Sequence, residues 1–169
     1  EEILEEVIEA GDRALLFTQF SEWGQLLKTY LQKKWEFEVP FLYGATSKSE
    51  RQAMIDRFQD DPRGPQIFLL SLKAGGLGLN LTRASHVFHI DRWWNPAIEN
   101  QATDRAYRIG QRNRVMVHKF ITNKSVEEKI HRMIEEKAKL SEDIIGSGEE
   151  WLGKLNISEL RDLVGLEET

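Results

Sequence analysis

Between residues 13 and 122, apolar runs of strand length alternate with longer segments whose apolar residues recur at helical spacing. Arg13 to Thr18, Pro40 to Tyr43, Gln66 to Ser71, His86 to Asp91 and Val115 to Thr122 are the strand runs. Ser21 is placed to cap a helix to about Lys34, with Trp23, Leu26, Leu27, Tyr30 and Leu31 on its buried face. Ser47 or Ser49 caps a second helix to about Gln59, and Asn95 with Pro96 opens a third that runs to about Arg108 before Gly110 ends it. Alternation of this kind predicts an α/β domain with a mostly parallel sheet and helices on both faces. The run Gln66 to Ser71 lacks polar alternation and is expected at the sheet centre, buried on both sides.

The flanks read differently. Ile3, Leu4, Val7 and Ile8 mark a short amphipathic helix over residues 2–10, stopped by Gly11. Ser125 and Glu128 have capping-box spacing and open a helix to about Leu140. Ser141 to Thr169 is acidic, with only a short helix pattern from Ser158 to about Val164. The expected division is a main domain over residues 1–124 and a helix with a C-terminal appendage over residues 125–169.

Charge sharpens the choice of partner. The net charge of −5 divides into −6 over residues 1–12, +7 over 13–140 and −6 over 141–169, so a basic middle compatible with nucleic acid lies between acidic ends. No apolar run reaches the roughly 18 residues of a membrane helix, and no membrane partner is expected. With no cysteine there is no disulfide framework or thiolate metal site, and an intracellular setting is expected. A first residue other than Met suggests a piece of something longer.

Two dense polar clusters stand where open α/β sheets place ligands, just after strand ends. Ala74-Gly-Gly-Leu-Gly78-Leu-Asn80 follows the third run, and Gln101-Ala-Thr-Asp-Arg105-Ala-Tyr-Arg108-Ile-Gly-Gln111 follows the fourth. On the predicted helix Gln101, Arg105 and Arg108 stand at i, i+4 and i+7, on one face. Converging guanidiniums suit a phosphoryl group, whose charge is spread over oxygens that accept paired donors. The plainer reading is that Arg108 complements the helix carboxyl end and pairs with Asp104. The glycines permit backbone amides to approach a phosphate, or simply make a turn. The 169 residues contain neither G-x-x-x-x-G-K-[ST] nor G-x-G-x-x-G, so this chain carries no phosphate loop. Asp91 superficially resembles a magnesium-binding carboxylate, but a turn or capping role is the expectation, and His86 and His89 point to opposite strand faces and make no metal pair. Trp93-Trp94 either meets bases or divides between core and surface.

Together these segments resemble the second RecA-like lobe of superfamily-two helicases, specifically of the Swi/Snf-type double-stranded DNA translocases. The residues that carry the resemblance are Leu15-Leu-Phe-Thr-Gln-Phe-Ser21 (motif IV), Leu42-Tyr-Gly-Ala-Thr46 with Arg51 and Ile55-Asp-Arg-Phe58, Ser71-Leu-Lys-Ala-Gly-Gly-Leu-Gly-Leu-Asn-Leu81 (motif V), Asp91-Arg-Trp-Trp-Asn-Pro96, and Gln101 to Gln111 (motif VI). The match runs through residues 13–140, and Leu140 to Gly146 and Leu160 to Leu163 resemble the family's tail. Trp94-Asn-Pro with Arg108-Ile-Gly-Gln is the most specific combination.

The resemblance implies a RecA-like three-layer lobe with a brace helix after Ser125 and an acidic tail. It implies ATP with Mg²⁺ as cofactor, held mainly by a first RecA-like lobe of the same polypeptide. Arg108 is then the arginine finger and Arg105 a second phosphate or interlobe contact; Gln101 positions them, and Gly78 and Asn80 lie near the nucleotide. Thr46 and Ser71 match donors to the tracking-strand phosphates, with Gln19 nearby, Lys73 and Arg92 as electrostatic contacts and Trp94 as a DNA-facing or bracing aromatic. The implied activity is ATP-dependent translocation on double-stranded DNA that remodels protein–DNA complexes, with DNA-bound proteins as further partners; the expected location is intracellular, in cytoplasm or nucleoid of a prokaryote or the nucleus of a eukaryote. This chain alone is expected to be inactive. A non-enzymatic DNA-binding or protein-docking module that keeps the fold is the alternative, and a generic nucleotide-binding domain would need a phosphate loop of its own.

Overall fold

The computed structural model describes residues 1–73, 78–93 and 96–140, with side chains to residue 135. Five parallel strands form one sheet among them: β1 (Ala14–Thr18), β2 (Phe41–Leu42), β3 (Ile67–Ser71), β4 (His86–His89) and β5 (Met116–Lys119), in the order β2-β3-β1-β4-β5. The expected mostly parallel sheet is all parallel in this region. Its centre is β1 rather than β3. β3 lies beside it in register, Ala14 opposite Ile67 and Thr18 opposite Ser71, and every residue of both strands is buried.

Side chains of successive strand residues point to opposite faces, and β1 divides accordingly. Leu15 and Phe17 join Phe58, Phe68, Leu70 and Ala102 in one core, beneath α3 (Lys48–Asp60) and α4 (Pro96–Thr103). Ala14 and Leu16 join Leu4, Val7, Leu31, Phe41 and Phe88 in the other, beneath α1 (Glu2–Glu9) and α2 (Ser21–Trp35). The result is the three-layer RecA-like arrangement, with α5 (Val126–Leu140) seated through the buried Ile130.

Local chemistry fixes the element ends. Ser47, rather than Ser49, caps α3 in a full capping box with Glu50. The buried Arg13 guanidinium donates to the carbonyls of Phe58 and, at 2.6 Å, Asp61, carbonyls at the end of α3 that lack helical partners. Ser21 is the first residue of α2, not its cap; Phe20 holds the cap position without a side-chain bond. At α5 the Ser125 hydroxyl accepts from the Glu127 amide, while Glu128 reaches back to the Lys124 amide at 2.7 Å rather than to that of Ser125. Residues 141–169, including the helix expected from Ser158, lie outside the described residues.

The buried face of α2 differs from expectation. Leu31 is buried and Leu27 packs against the core as expected, but Trp23, Leu26 and Tyr30 are exposed and Gly24 is buried in their place. The helix carries two apolar stripes about 100° apart, 23-26-30 and 24-27-31. The second wins because Gly24 lets the helix backbone approach Phe41: a Cβ there would stand 2.3 Å from the ring. Replacing Gly24 by Ala gains about 1 kcal/mol of helix propensity, but overpacking against a ring that is itself buried costs about 1–3 kcal/mol. We expect Gly24→Ala to lower the melting temperature by several degrees in a thermal unfolding scan; an unchanged or higher value would show that the helix can move away.

Candidate functional site

The chain turns to opposite sides of β1 when it builds β3 and β4, so a crevice opens at their carboxyl ends, the usual ligand position in open α/β sheets. Asp91 closes the base of that crevice. Its carboxylate accepts from the Thr18 hydroxyl and, at 3.0 Å, from the Gln19 amide, while Gln19 Nε2 donates to the Arg92 carbonyl at 3.2 Å. Burial pushes the Asp91 carboxyl pKa up, and the bonds from Thr18 and Gln19 oppose that shift. Asp91 therefore clasps β1 to β4, the turn role expected for it.

Four adjacent strand ends present the residues assigned to DNA. Thr46 sits in the turn after β2, its hydroxyl accepting from the Tyr43 amide at 3.1 Å and its amide donating to the Tyr43 carbonyl. Ser71 ends β3 opposite Thr18 and is buried, Lys73 is exposed two residues later, and Gln19 is half-buried at the end of β1. Arg92 faces the other way: it is 3% exposed, its Nε donates to Glu99 Oε1 at 2.9 Å and its Nη1 meets His131 Nδ1 at 2.7 Å. This corrects the surface-contact expectation for Arg92, whose guanidinium is enclosed by a carboxylate and an imidazole and has no face left for a backbone phosphate. Trp94 lies outside the described residues. Trp93 is half-buried against the core beneath α4.

The second cluster is brought together by a different geometry from the predicted one. α4 ends at Thr103, so Gln101, Arg105 and Arg108 do not share one helix face. The Arg105 carbonyl leaves the helical ladder to accept from the Leu81 amide at 2.9 Å, and the Thr103 hydroxyl meets His89 Nε2 at 3.1 Å. Turns then carry the chain to Gln111, whose side-chain amide donates to the carbonyls of Ala84 and Ala106 at 2.9 and 3.0 Å. Gln101, Arg105, Arg108 and Gly78 nevertheless line one cleft of about 950 Å³. Asn80 is exposed and lies outside that lining; Ala74 to Leu77 are outside the described residues.

The two arginines stand in different states. Arg105 is 5% exposed, lies 5.4 Å over the Phe17 ring, and leaves Nη1 without a hydrogen-bond partner. Burial lowers its pKa to about 10, so it stays charged at neutral pH. Arg108 is exposed and rests its Nη1 on the Gly78 and Leu79 carbonyls at 2.8 and 3.4 Å. Gly78 adopts φ +52°, a conformation costly for other residues, and its carbonyl accepts from Arg108. Arg112 and Arg114 also line the cleft and escaped the sequence reading, although an Arg-Asn-Arg run directly after the second cluster was a usable signal. Four arginines and one acid, Asp104, thus line the same cleft.

The fold and the cleft define the class: a RecA-like α/β lobe with an arginine-lined cleft at the carboxyl edge of its sheet. Residues 1–110 match the family described as helicase conserved C-terminal domain. YwqA of Bacillus subtilis is 48% identical over 168 residues, which is 99% of this chain and 18% of YwqA; the DNA repair protein RAD5 of Saccharomyces cerevisiae is 43% identical over 137 residues, 79% of this chain and 12% of RAD5. The SWI2/SNF2 ATPase core domain of Sulfolobus solfataricus superposes with a TM-score of 0.81 at 44% identity, covering 99% of this chain and 34% of that one; the same core in complex with dsDNA gives 0.80 at 44% identity, covering 99% and 35%. The chain belongs to the helicase conserved C-terminal domain family, in its Swi/Snf branch.

One pH dependence follows from the packing. His89 is fully buried, stacks on Phe17 at 5.8 Å, and has its pKa lowered from 6.5 to about 4 by burial. The unfolded chain therefore takes up this proton first, and the stability present above pH 6.5 is lost as the pH falls toward 4, by roughly 3 kcal/mol. Denaturant unfolding at stepped pH should show that slope flattened in a His89→Phe variant; parallel pH curves would contradict it.

Proposed function

We propose that this chain is the second motor lobe of an ATP-dependent double-stranded DNA translocase that remodels protein–DNA complexes. The observation that carries the reading is the buried, charged and unpartnered Nη1 of Arg105, in one cleft with Arg108. A buried guanidinium without an acceptor is costly unless a ligand supplies one, and the triphosphate of ATP held by a first lobe of the same polypeptide supplies it. Phosphate oxygens fit these donors. Magnesium, in this reading, is held by the first lobe, because the cleft sets a single carboxylate, Asp104, among four arginines.

On this reading Arg108 leaves the Gly78 and Leu79 carbonyls when the lobes close and donates to the γ-phosphate as charge develops there. Arg105 contacts a phosphate or the lobe interface, and Gln101 at the cleft mouth helps position them. An arginine finger is worth about 10³–10⁵ in rate in other phosphoryl-transfer enzymes. Closure thus switches hydrolysis on, and reopening lets the lobes step along the duplex. The strand ends bearing Thr46, Ser71, Lys73 and Gln19, with Trp94, form the track for the phosphate backbone, so binding is salt-sensitive and sequence-tolerant. In this division residues 1–124 are the lobe and 125–169 the brace and appendage of an intracellular protein, working in nucleoid or nucleus. The kinship with a DNA repair protein and the likeness to a core solved with dsDNA support the reading.

The test is ATP turnover of the two-lobe parent protein with and without duplex DNA, alongside its Arg108→Ala variant. Duplex DNA should raise parental turnover, and the substitution should lower that turnover about 10³-fold while duplex affinity stays near parental. Turnover indifferent to Arg108, or DNA affinity lost in parallel, contradicts the assignment and favours a binding module.

A further inference from the structure

Glu99 is 0% exposed, in the middle of a helix of only two turns, and none of the roles above uses it. Its Oε1 accepts from Arg92 Nε at 2.9 Å and from the Trp93 amide at 3.0 Å. Its Oε2 lies 3.0 Å from Lys119 Nζ on β5, an ion pair set off the line of a hydrogen bond. Arg92 in turn meets His131 of α5 at 2.7 Å, and Glu127 of the same helix accepts from the Thr122 amide at 3.2 Å. One carboxylate therefore joins α4 to the exit of β4 and to β5, and through Arg92 and His131 the same cluster reaches α5. Burial alone would raise its pKa; the Trp93 amide, Lys119 and Arg92 together hold it below the usual carboxylate range.

A buried ion pair is weak evidence for stability, since well-packed apolar residues of similar volume often do as well. Its position says more. The Gln19 side chain, at the edge assigned to DNA, is bonded to the Arg92 carbonyl. Arg92 is bonded to Glu99, and α4 runs from Glu99 through Gln101 into the turns that carry Arg105 and Arg108. The contacts form a continuous path from the strand ends to the arginine cleft, and a side branch through His131 ties α5 to the same path.

We propose that Glu99 is a positioning residue that couples duplex DNA at the strand ends to the placement of Arg105 and Arg108. The proposal rests on the motor-lobe reading above and adds to it the element that transmits DNA binding to hydrolysis. Glu99 touches no nucleotide. It holds α4 at one setting against β4, so a shift of the Gln19–Arg92 contact moves the arginine turns as a unit instead of being absorbed by a loose helix.

The test uses the two-lobe parent protein with ATP, a blunt duplex and three variants, reading melting temperature, KM for ATP, and the ratio of DNA-stimulated to DNA-free turnover. Glu99→Asp keeps the charge and draws the carboxylate back by one methylene; the stimulation ratio should fall about tenfold with KM within about twofold of the parent, since an ångström-scale misplacement costs up to about 10²-fold in rate. The paired variant Glu99→Leu with Arg92→Met removes both charges at similar volume; it should melt near the parent and still lose the stimulation ratio. Full stimulation in either variant overturns the positioning role and leaves Glu99 as core filling. Arg108→Ala run beside them separates the two ideas: if it retains DNA-stimulated turnover the arginine reading fails, whereas full stimulation in Glu99→Asp beside a dead Arg108→Ala removes the positioning role alone.

Discussion

A parallel sheet covered on both faces leaves its strands no polar work along their length, and that constraint shapes the rest of this lobe. Every residue of β1 and β3 is buried, and their backbone groups are satisfied by neighbouring strands. Polar chemistry is displaced to the carboxyl ends, where Thr18, Gln19, Ser71 and Asp91 come into reach of one another. The Asp91 clasp between β1 and β4 is the first consequence. It fixes the crevice from which both the strand-end edge and the arginine cleft extend.

The cleft itself depends on charge held away from water. Arg105 lies on the face of Phe17, a core residue of β1, so the central strand both carries the sheet and supplies the apolar floor under a cation. Arg108 is the opposite case, solvated and leaning on two carbonyls of the segment that follows β3. A net hydrogen bond of that kind is worth about 1 kcal/mol, so Arg108 is easily exchanged onto a charged acceptor, whereas Arg105 is fixed in place. One rigid and one releasable arginine is an arrangement suited to a site completed from outside the lobe.

Much of this was legible in the residues. Strand-length apolar runs gave the five strands of the described residues, and the second polar cluster, with Gly78 of the first, marked the cleft, because glycine and arginine at a strand end have few other reasons to be dense. On α2, periodicity says which residues lie on one face but not which of two faces turns inward. Trp23, Leu26 and Tyr30 made the larger stripe on α2, yet Gly24 decided the packing by allowing contact with Phe41. The end of α4 was hidden because its cause, the bond from Leu81 to the Arg105 carbonyl, is 24 residues away in sequence. Arg92 read as a surface cation because its partners Glu99 and His131 are isolated residues with no motif, gathered only by the fold.

The central claim is that this cleft receives a phosphoryl group brought by another lobe. The most direct measurement is the structure of the two-lobe parent with duplex DNA and a fluoroaluminate nucleotide that mimics the transferring phosphate. The account predicts that Arg108 has left the Gly78 and Leu79 carbonyls for the mimic's equatorial ligands, and that Arg105 Nη1 has gained a phosphate or interlobe acceptor. A bound mimic with Arg108 still on Gly78 and Arg105 still unpartnered would contradict it.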